Sequence, residues 1–287
     1  MIKAAIIDLY NNEKNEGIRC IKEIVSDTGS LNGYSIISFG HFQTRYKGDV
    51  PGLEYDIYIS SGGPGSPYAD KGKQWEKDYF NLLNKIWDNN QKFDAKKKYI
   101  FFICHSFQMM SRFFKFGDIT KRNYESFGIF PFIKTKTGKE DPILKDLTNP
   151  LYAADFRKYQ VVNPDKKVLK GLGGEIIALE EEQTQEGKEP AIMAVRLSKE
   201  IAGTQFHPEA DPESMMYHFK KTERKKHVIK KYGEEKYSEM INMLEDPGKI
   251  KLTRKTVLPT FLKMAIEELT KHTPSLPLPD GGSGRFS

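Results

Sequence analysis

The sequence predicts an α/β fold, a mostly parallel central sheet covered by helices on both faces. Three observations carry this reading. Short β-branched and aromatic runs alternate with amphipathic helical stretches up to Phe114, the pattern of βαβ units. A glycine-rich loop follows one such run and a lone cysteine follows the next. In parallel sheets, sites form at the C-terminal ends of strands. From Phe127 to Phe206, apolar runs then succeed one another at short intervals, which reads as an antiparallel or mixed extension of the sheet.

The elements follow in order. Residues 3–10 read as a first strand. Residues 17–25 place apolar side chains at 18, 21, 24 and 25, a helical period, with Cys20 as a structural member of that helix. Residues 34–39 and 55–60 are the next strands. The second ends in Ser61-Gly62-Gly63-Pro64-Gly65-Ser66-Pro67, which suits neither helix nor strand. Residues 75–87 form a helix with Tyr79, Leu82, Leu83 and Ile86 on one face. Tyr99–Ile103 is a buried strand that runs through Cys104 into a helical stretch with apolar residues at 107, 110, 113 and 114. Further strands are expected over 127–135, 159–162, 175–179, 191–196 and 201–206. Residues 136–150 read as a loop with a short helical turn, and 180–189 as a solvated acidic turn.

From Asp211 the composition turns rich in Lys and Glu. The domain reading is therefore an α/β domain over 1–211, a helical insertion over 212–255, a final helix over 256–272 packing on the main domain, and a disordered tail over 273–287.

Bulk composition excludes several classes. The chain has 287 residues, 38% hydrophobic and 29% charged, enough to bury a core without staples. Two cysteines, Cys20 and Cys104, argue against a disulfide scaffold and a cysteine-based zinc site, and fit a reduced, cytoplasmic location. The first apolar run meets Asp8 too soon for a signal peptide, and no run suits a membrane span. The net charge of +6 is modest and comes partly from residues 220–231. That run reads as a solvated helix face. An RNA or nucleotide patch is the sharper alternative, but no aromatic interleaving supports nucleic acid as a partner.

A cysteine on a tight strand-to-helix turn is a candidate nucleophile, because the turn lifts the sulfur out of the sheet and the helix N-terminus favours thiolate. The alternative is a small buried hydrophobe. A nucleophile needs a base and a group to orient it. Among six histidines, His207 in Gly203-Thr-Gln205-Phe206-His207-Pro208-Glu209 stands at a strand end with Glu209 two residues on. His41, His218, His227 and His272 have no such company. His105 follows the cysteine too closely to serve as base, but its backbone N–H lies where an oxyanion donor is expected. Gly62 and Gly63 allow backbone N–H groups close to a ligand, as a phosphate cradle or an oxyanion hole. The Gly-Lys-Ser/Thr ending of a P-loop is absent.

The Gly62–Gly65 loop, the Cys104 turn with Gln108, and Gln205-Phe-His-Pro-Glu209 occur in that order. They resemble the three blocks of class I glutamine amidotransferases, of the type fused to GMP synthetase. Glu125-Ser-Phe-Gly128 is similar to a further segment of that family. The resemblance implies a three-layer, flavodoxin-like sheet and a glutaminase half-reaction without metal or organic cofactor. It implies Cys104 as nucleophile, His207 as base, Glu209 as orienting carboxylate, backbone N–H groups of Gly62, Gly63 and His105 as the oxyanion hole, and Gln108 against substrate. The implied ligand is glutamine or a γ-glutamyl compound, with ammonia passed to a separate synthetase subunit.

The chain departs from the family pattern at the elbow, usually Gly-x-Cys-x-Gly-His-Gln. Here Phe102 and Ser106 replace the glycines and Phe107 the histidine. The stretch from Phe156 to Asn163 lies where the family reads substrate but contains no histidine. Two alternatives follow: a γ-glutamyl peptide hydrolase of the same fold, or a catalytically impaired amidotransferase-like binding protein.

Overall fold

The computed structural model describes residues 1–31, 34–181, 190–246 and 248–271. In chain order the elements are β1 (Ile2–Ile7), α1 (Gly17–Thr28), the two-residue strands β2 (Ser30–Leu31) and β3 (Tyr34–Ser35), β4 (Ile37–Phe42), α2 (Thr44–Lys47), β5 (Ile57–Ser60), α3 (Gln74–Gln91), β6 (Tyr99–Ile103) and α4 (His105–Phe114). There follow β7 (Asp118–Lys134), α5 (Lys136–Glu140), β8 (Leu151–Val162), α6 (Lys166–Leu172), β9 (Glu175–Glu180), β10 (Ile192–Arg196) and β11 (Ile201–Thr204). Four helices close the described chain: α7 (Pro212–Lys220), α8 (Thr222–Tyr232), α9 (Glu234–Glu245) and α10 (Ile250–Lys271).

The main sheet has the order β4-β1-β5-β6-β11-β10-β9-β7-β8. Its first five strands pair in parallel, and β10, β9, β7 and β8 extend it antiparallel. This is the expected α/β class with its mixed extension. Side chains alternate across the parallel core as the period of two requires. On β6, Tyr99, Phe101 and Ile103 pack with α1 and α10, whose Ile21, Val25, Leu258 and Phe261 share that layer. Ile100 and Phe102 pack with Tyr79 and Leu82 of α3 and with Phe107 and Met110 of α4. Burial on both faces is why the strand reads as a continuous apolar run. The helices α7, α8 and α9 form a third layer on the β7–β8 hairpin, where Phe127 stacks on Tyr232 at 4.6 Å and meets Phe219 edge-on.

Register sets the site. Ile7, Ser60, Phe102 and Gly203 lie abreast across β1, β5, β6 and β11. The loops leaving these four strands therefore emerge at one edge of the sheet.

Several boundaries differ from those read off the sequence. β7 starts at Asp118 and β8 at Leu151, well before the 127 and 159 expected. The residues of β7 before Ser126 are largely exposed, so their pairing leaves no apolar period to read. Helix α6 was not expected, although Asp165 caps its first turn and Gly173 ends it with φ of 73°. The single helical stretch after Asp211 is three helices, broken at Lys221 and at Gly233, whose φ of 90° suits glycine. The last helix begins at Ile250 and runs through the 255/256 division. The expected acidic turn reaches into residues 182–189, and the expected tail occupies 273–287; both lie outside the described residues.

Candidate active site

Cys104 joins β6 to α4 with φ 50° and ψ −100°. A non-glycine residue in that region costs on the order of 1–3 kcal/mol, so its surroundings must hold it there. Three contacts do so. The Cys104 N–H donates to the Thr204 carbonyl at 2.8 Å. The Ser106 hydroxyl accepts from the Ile103 N–H at 2.8 Å and donates to the Ser60 carbonyl at 2.6 Å. Ser106 thus ties the elbow to the neighbouring strand β5. The bulk of Phe102 is met on the other side by Gly203: a Cβ there would fall 2.9 Å from Phe102 Cβ and 3.1 Å from Phe107 Cδ2. The glycine missing from β6 has its counterpart on β11.

The loop after β5 lies against the elbow. A Cβ on Gly62 would sit 2.9 Å from His207 Cε1 and 3.6 Å from Cys104 Cβ, and one on Gly63 would sit 2.3 Å from the Leu9 carbonyl oxygen. Both positions exclude a side chain. Ser61 accepts from the Leu9 N–H at 3.0 Å, and the Arg45 guanidinium donates to the Pro64 carbonyl at 2.6 Å and to Asp70 at 2.8 Å. The His105 N–H opens α4 and so has no acceptor within the helix. Its imidazole is buried, and burial, with Arg45 adding, holds its pKa down to about 3. Both effects disfavour the charged form of the ring.

His207 follows β11 and forms an isolated bridge with Ala154 of β8, its N–H donating to the Ala154 carbonyl at 2.9 Å. Its Nδ1 lies 2.8 Å from Glu209 Oε1. Burial pushes the imidazole pKa down, but the Glu209 carboxylate and the Cys104 sulfur beside it outweigh burial and hold it well above the ordinary value. Glu209 is itself fixed: its backbone carbonyl accepts from Arg254 of α10, whose other nitrogen meets Glu23 of α1 at 3.0 Å. Tyr10, after β1, reaches the same place, with its hydroxyl oxygen 3.1 Å from the Gly62 Cβ position. Burial, Glu209 and Cys104 raise its pKa well above normal.

Gln108 is buried, and its amide nitrogen donates to the Tyr159 carbonyl and to Gln205 Oε1, both at 3.1 Å. It lines a cavity of about 210 Å³ with Cys104, Gly63, Phe156 and Tyr159. The wall from Phe156 to Tyr159 is anchored from behind. Arg157 is 3% exposed and grips Asp155 at 2.8 Å and Glu180 at 3.1 Å. A second cavity of about 700 Å³ adjoins it at Cys104 and Phe156 and is also lined by Tyr10, His207, Phe127, Met215 and Phe219. Every residue singled out in the sequence as a site member, namely Gly62, Gly63, Cys104, His105, Gln108, His207 and Glu209, therefore lies at this one edge. His41 is not without company as expected: the fold brings its Nε2 to 2.9 Å from Asp8, a pairing across adjacent strands that sequence spacing does not display.

Among the described residues, no cluster of His, Cys, Asp and Glu suits a metal ion, and no helix is long and apolar enough to cross a membrane.

The family model for class I glutamine amidotransferases matches residues 21–224. The chain belongs to the class I glutamine amidotransferase family. Solved structures agree in fold. A glutamine amidotransferase from Thermotoga maritima shares 15% identity at a TM-score of 0.64, covering 93% of this chain and 98% of its own. A putative GMP synthase subunit from Thermoplasma acidophilum shares 13% at 0.54, covering 94% and 98%. The glutaminase domain of Trypanosoma brucei CTPS, solved with acivicin, shares 12% at 0.56, covering 94% of each. No curated protein sequence matches the chain. Four residues that pack around the candidate site carry no assignment from the sequence. Arg45, Gly203 and Arg254 act from distant elements and carry no local signal. Tyr10 follows the end of β1, at the same edge of the sheet as the other site loops.

Proposed function

We propose that the chain hydrolyses the side-chain amide of glutamine or of a γ-glutamyl compound through a Cys104 thioester. The observation that carries this reading is the 2.8 Å contact of His207 Nδ1 with Glu209 beside the strained Cys104 elbow. That contact leaves Nε2 to take the thiol proton and later deliver it to the departing nitrogen, with Glu209 orienting the ring and stabilising its charge. The tetrahedral oxyanion is held by the backbone N–H groups of His105 and of the Gly62–Gly63 loop. Gln108 shapes the wall against the glutamyl chain. Water then cleaves the thioester and the proton returns through His207.

With glutamine as substrate, the ammonia released passes to an acceptor site on a separate synthetase-type subunit, and the reaction runs in the cytoplasm. A second reading, hydrolysis of larger γ-glutamyl amides, is favoured by the 700 Å³ cavity beside His207. The test is glutamate release from glutamine by the purified chain, alone and with a co-purifying subunit, against Cys104→Ala. Release that persists in Cys104→Ala, or no release together with no modification of Cys104 by a glutamine-analogue alkylator, sinks the proposal.

A further inference from the structure

Two cavities meet at Cys104; they share Gly63, Pro64, Glu125 and Phe156 as a common partition and differ in the other groups they touch. The smaller contains His105 and Gln108 but not His207; the larger contains His207, Glu209 and Tyr10 but neither His105 nor Gln108. On the hydrolase reading above, on which this inference rests, that sidedness assigns the two halves of the substrate. The departing nitrogen must take its proton from the imidazole, so it leaves on the side His207 faces. The acyl chain then occupies the smaller cavity.

Ammonia is about the size of a water molecule, whose share of liquid volume is about 30 Å³. A space of about 700 Å³ is far larger than that leaving group needs. Beside charged residues such as Glu16, Glu125, Asp211 and Arg224, its wall carries apolar groups that ammonia alone does not need. Phe127 and Phe156 come from the β7–β8 hairpin, and Met215 and Phe219 from α7. Phe156 stands 6.1 Å from the His207 ring, so the apolar wall begins at the base itself. Apolar side chains of this kind fix a ligand by removing its apolar surface from water.

We propose that the preferred substrate is a γ-glutamyl amide whose amine half carries an aromatic-sized apolar group, seated between Phe127, Phe156, Met215 and Phe219. The chemistry balances without a further reactant. Cys104 Sγ bonds the γ-carbonyl carbon, the carbon–nitrogen bond breaks, and the nitrogen takes the imidazolium proton to leave as the free amine. Water then adds to the thioester carbon and gives a proton to His207. The sulfur–carbon bond breaks, glutamate forms, and the thiol regains its proton. Helix α7 gains a role on this reading, because it supplies Met215 and Phe219, two of the four apolar groups that seat the amine.

The test compares glutamate release from γ-L-glutamyl-phenethylamide and from L-glutamine by the full chain. The expected result is a kcat/KM at least tenfold higher for the phenethylamide. Met215→Glu, which puts a charge at a half-buried position of that wall, is expected to lower that ratio at least fivefold. Equal or faster turnover of glutamine by the unaltered chain overturns the amine-side assignment and leaves the hydrolase reading standing. No glutamate from either amide overturns both. An unchanged ratio in Met215→Glu removes α7 from the site.

Discussion

Gly203 lies directly against Phe102, with room for a hydrogen and nothing more: a Cβ at 203 would fall 2.9 Å from Phe102 Cβ and 3.0 Å from the Phe102 carbonyl oxygen. Backbone cannot yield as a flexible side chain can. Gly203→Ala is therefore expected to destabilise the fold by about 1–3 kcal/mol and to lower amide hydrolysis, because Phe102 leads straight into the Cys104 elbow. Urea unfolding and glutamate release measure the two effects. Phe102→Gly in the same chain removes the side-chain half of the clash. The double variant should then be more stable than the sum of the single changes by about 0.5 kcal/mol or more. Strict additivity would mean the two positions do not share the strain.

Ser106→Ala removes a hydroxyl that bridges the Ile103 N–H and the Ser60 carbonyl, all in the buried core. Leaving those groups unpaired costs about 1–3 kcal/mol. Turnover should fall further than stability alone explains, because the strained backbone of Cys104 loses its link to β5. Comparing kcat with the fraction folded at each urea concentration separates the two; parallel losses would make Ser106 a purely structural residue.

Thiol chemistry distinguishes the two cysteines. Burial pushes the Cys20 thiol up to about 11, so near pH 8 it remains protonated and unreactive. Cys104 has the His207 imidazole beside it to take its proton. Limited alkylation followed by peptide mass spectrometry should find Cys104 labelled and Cys20 spared. His207→Gln should slow that labelling at least tenfold. Equal labelling of both cysteines would favour the binding-protein alternative.

The layered architecture was legible in the sequence because its cause is local. Residues 99–103 are apolar throughout since β6 is covered on both sides, and the helix from Gly17 shows its buried stripe at 18, 21, 24 and 25. The candidate site residues could be picked out because elbow, glycine loop and His-Pro-Glu each follow a short core strand. What the sequence did not display was of two kinds. The exposed half of β7 is held only by its ladder to β8, so its side chains carry no pattern. Arg45, Gly203 and Arg254 act across distances of chain that only the fold closes. The accommodation of Phe102 belongs to the second kind. Phe102 is bulky for an elbow, and only the pairing of β6 with β11 sets Gly203 abreast of it.

Stability should depend on pH through His207. Its folded pKa lies well above the ordinary value of about 6.5. A raised folded pKa contributes stability that is fully present below the unfolded value and is lost as pH rises through the folded value. The unaltered chain should therefore exceed His207→Gln in stability most clearly near pH 6, with the difference shrinking as pH rises into the alkaline range. Urea midpoints across that range measure this. Glu209→Gln removes the chief group that raises the pKa and should move the loss to lower pH. A difference independent of pH would mean the imidazole is neutral in the fold.

Arg254 gives the site a place in time as well as in space. The candidate residues Cys104, His207 and Glu209 are all in the chain by residue 209, yet the cation that grips the Glu209 carbonyl and Glu23 belongs to a helix made later. A chain cut before α10 would carry all three candidate residues and lack the tie that joins Glu209 to α1 through Arg254.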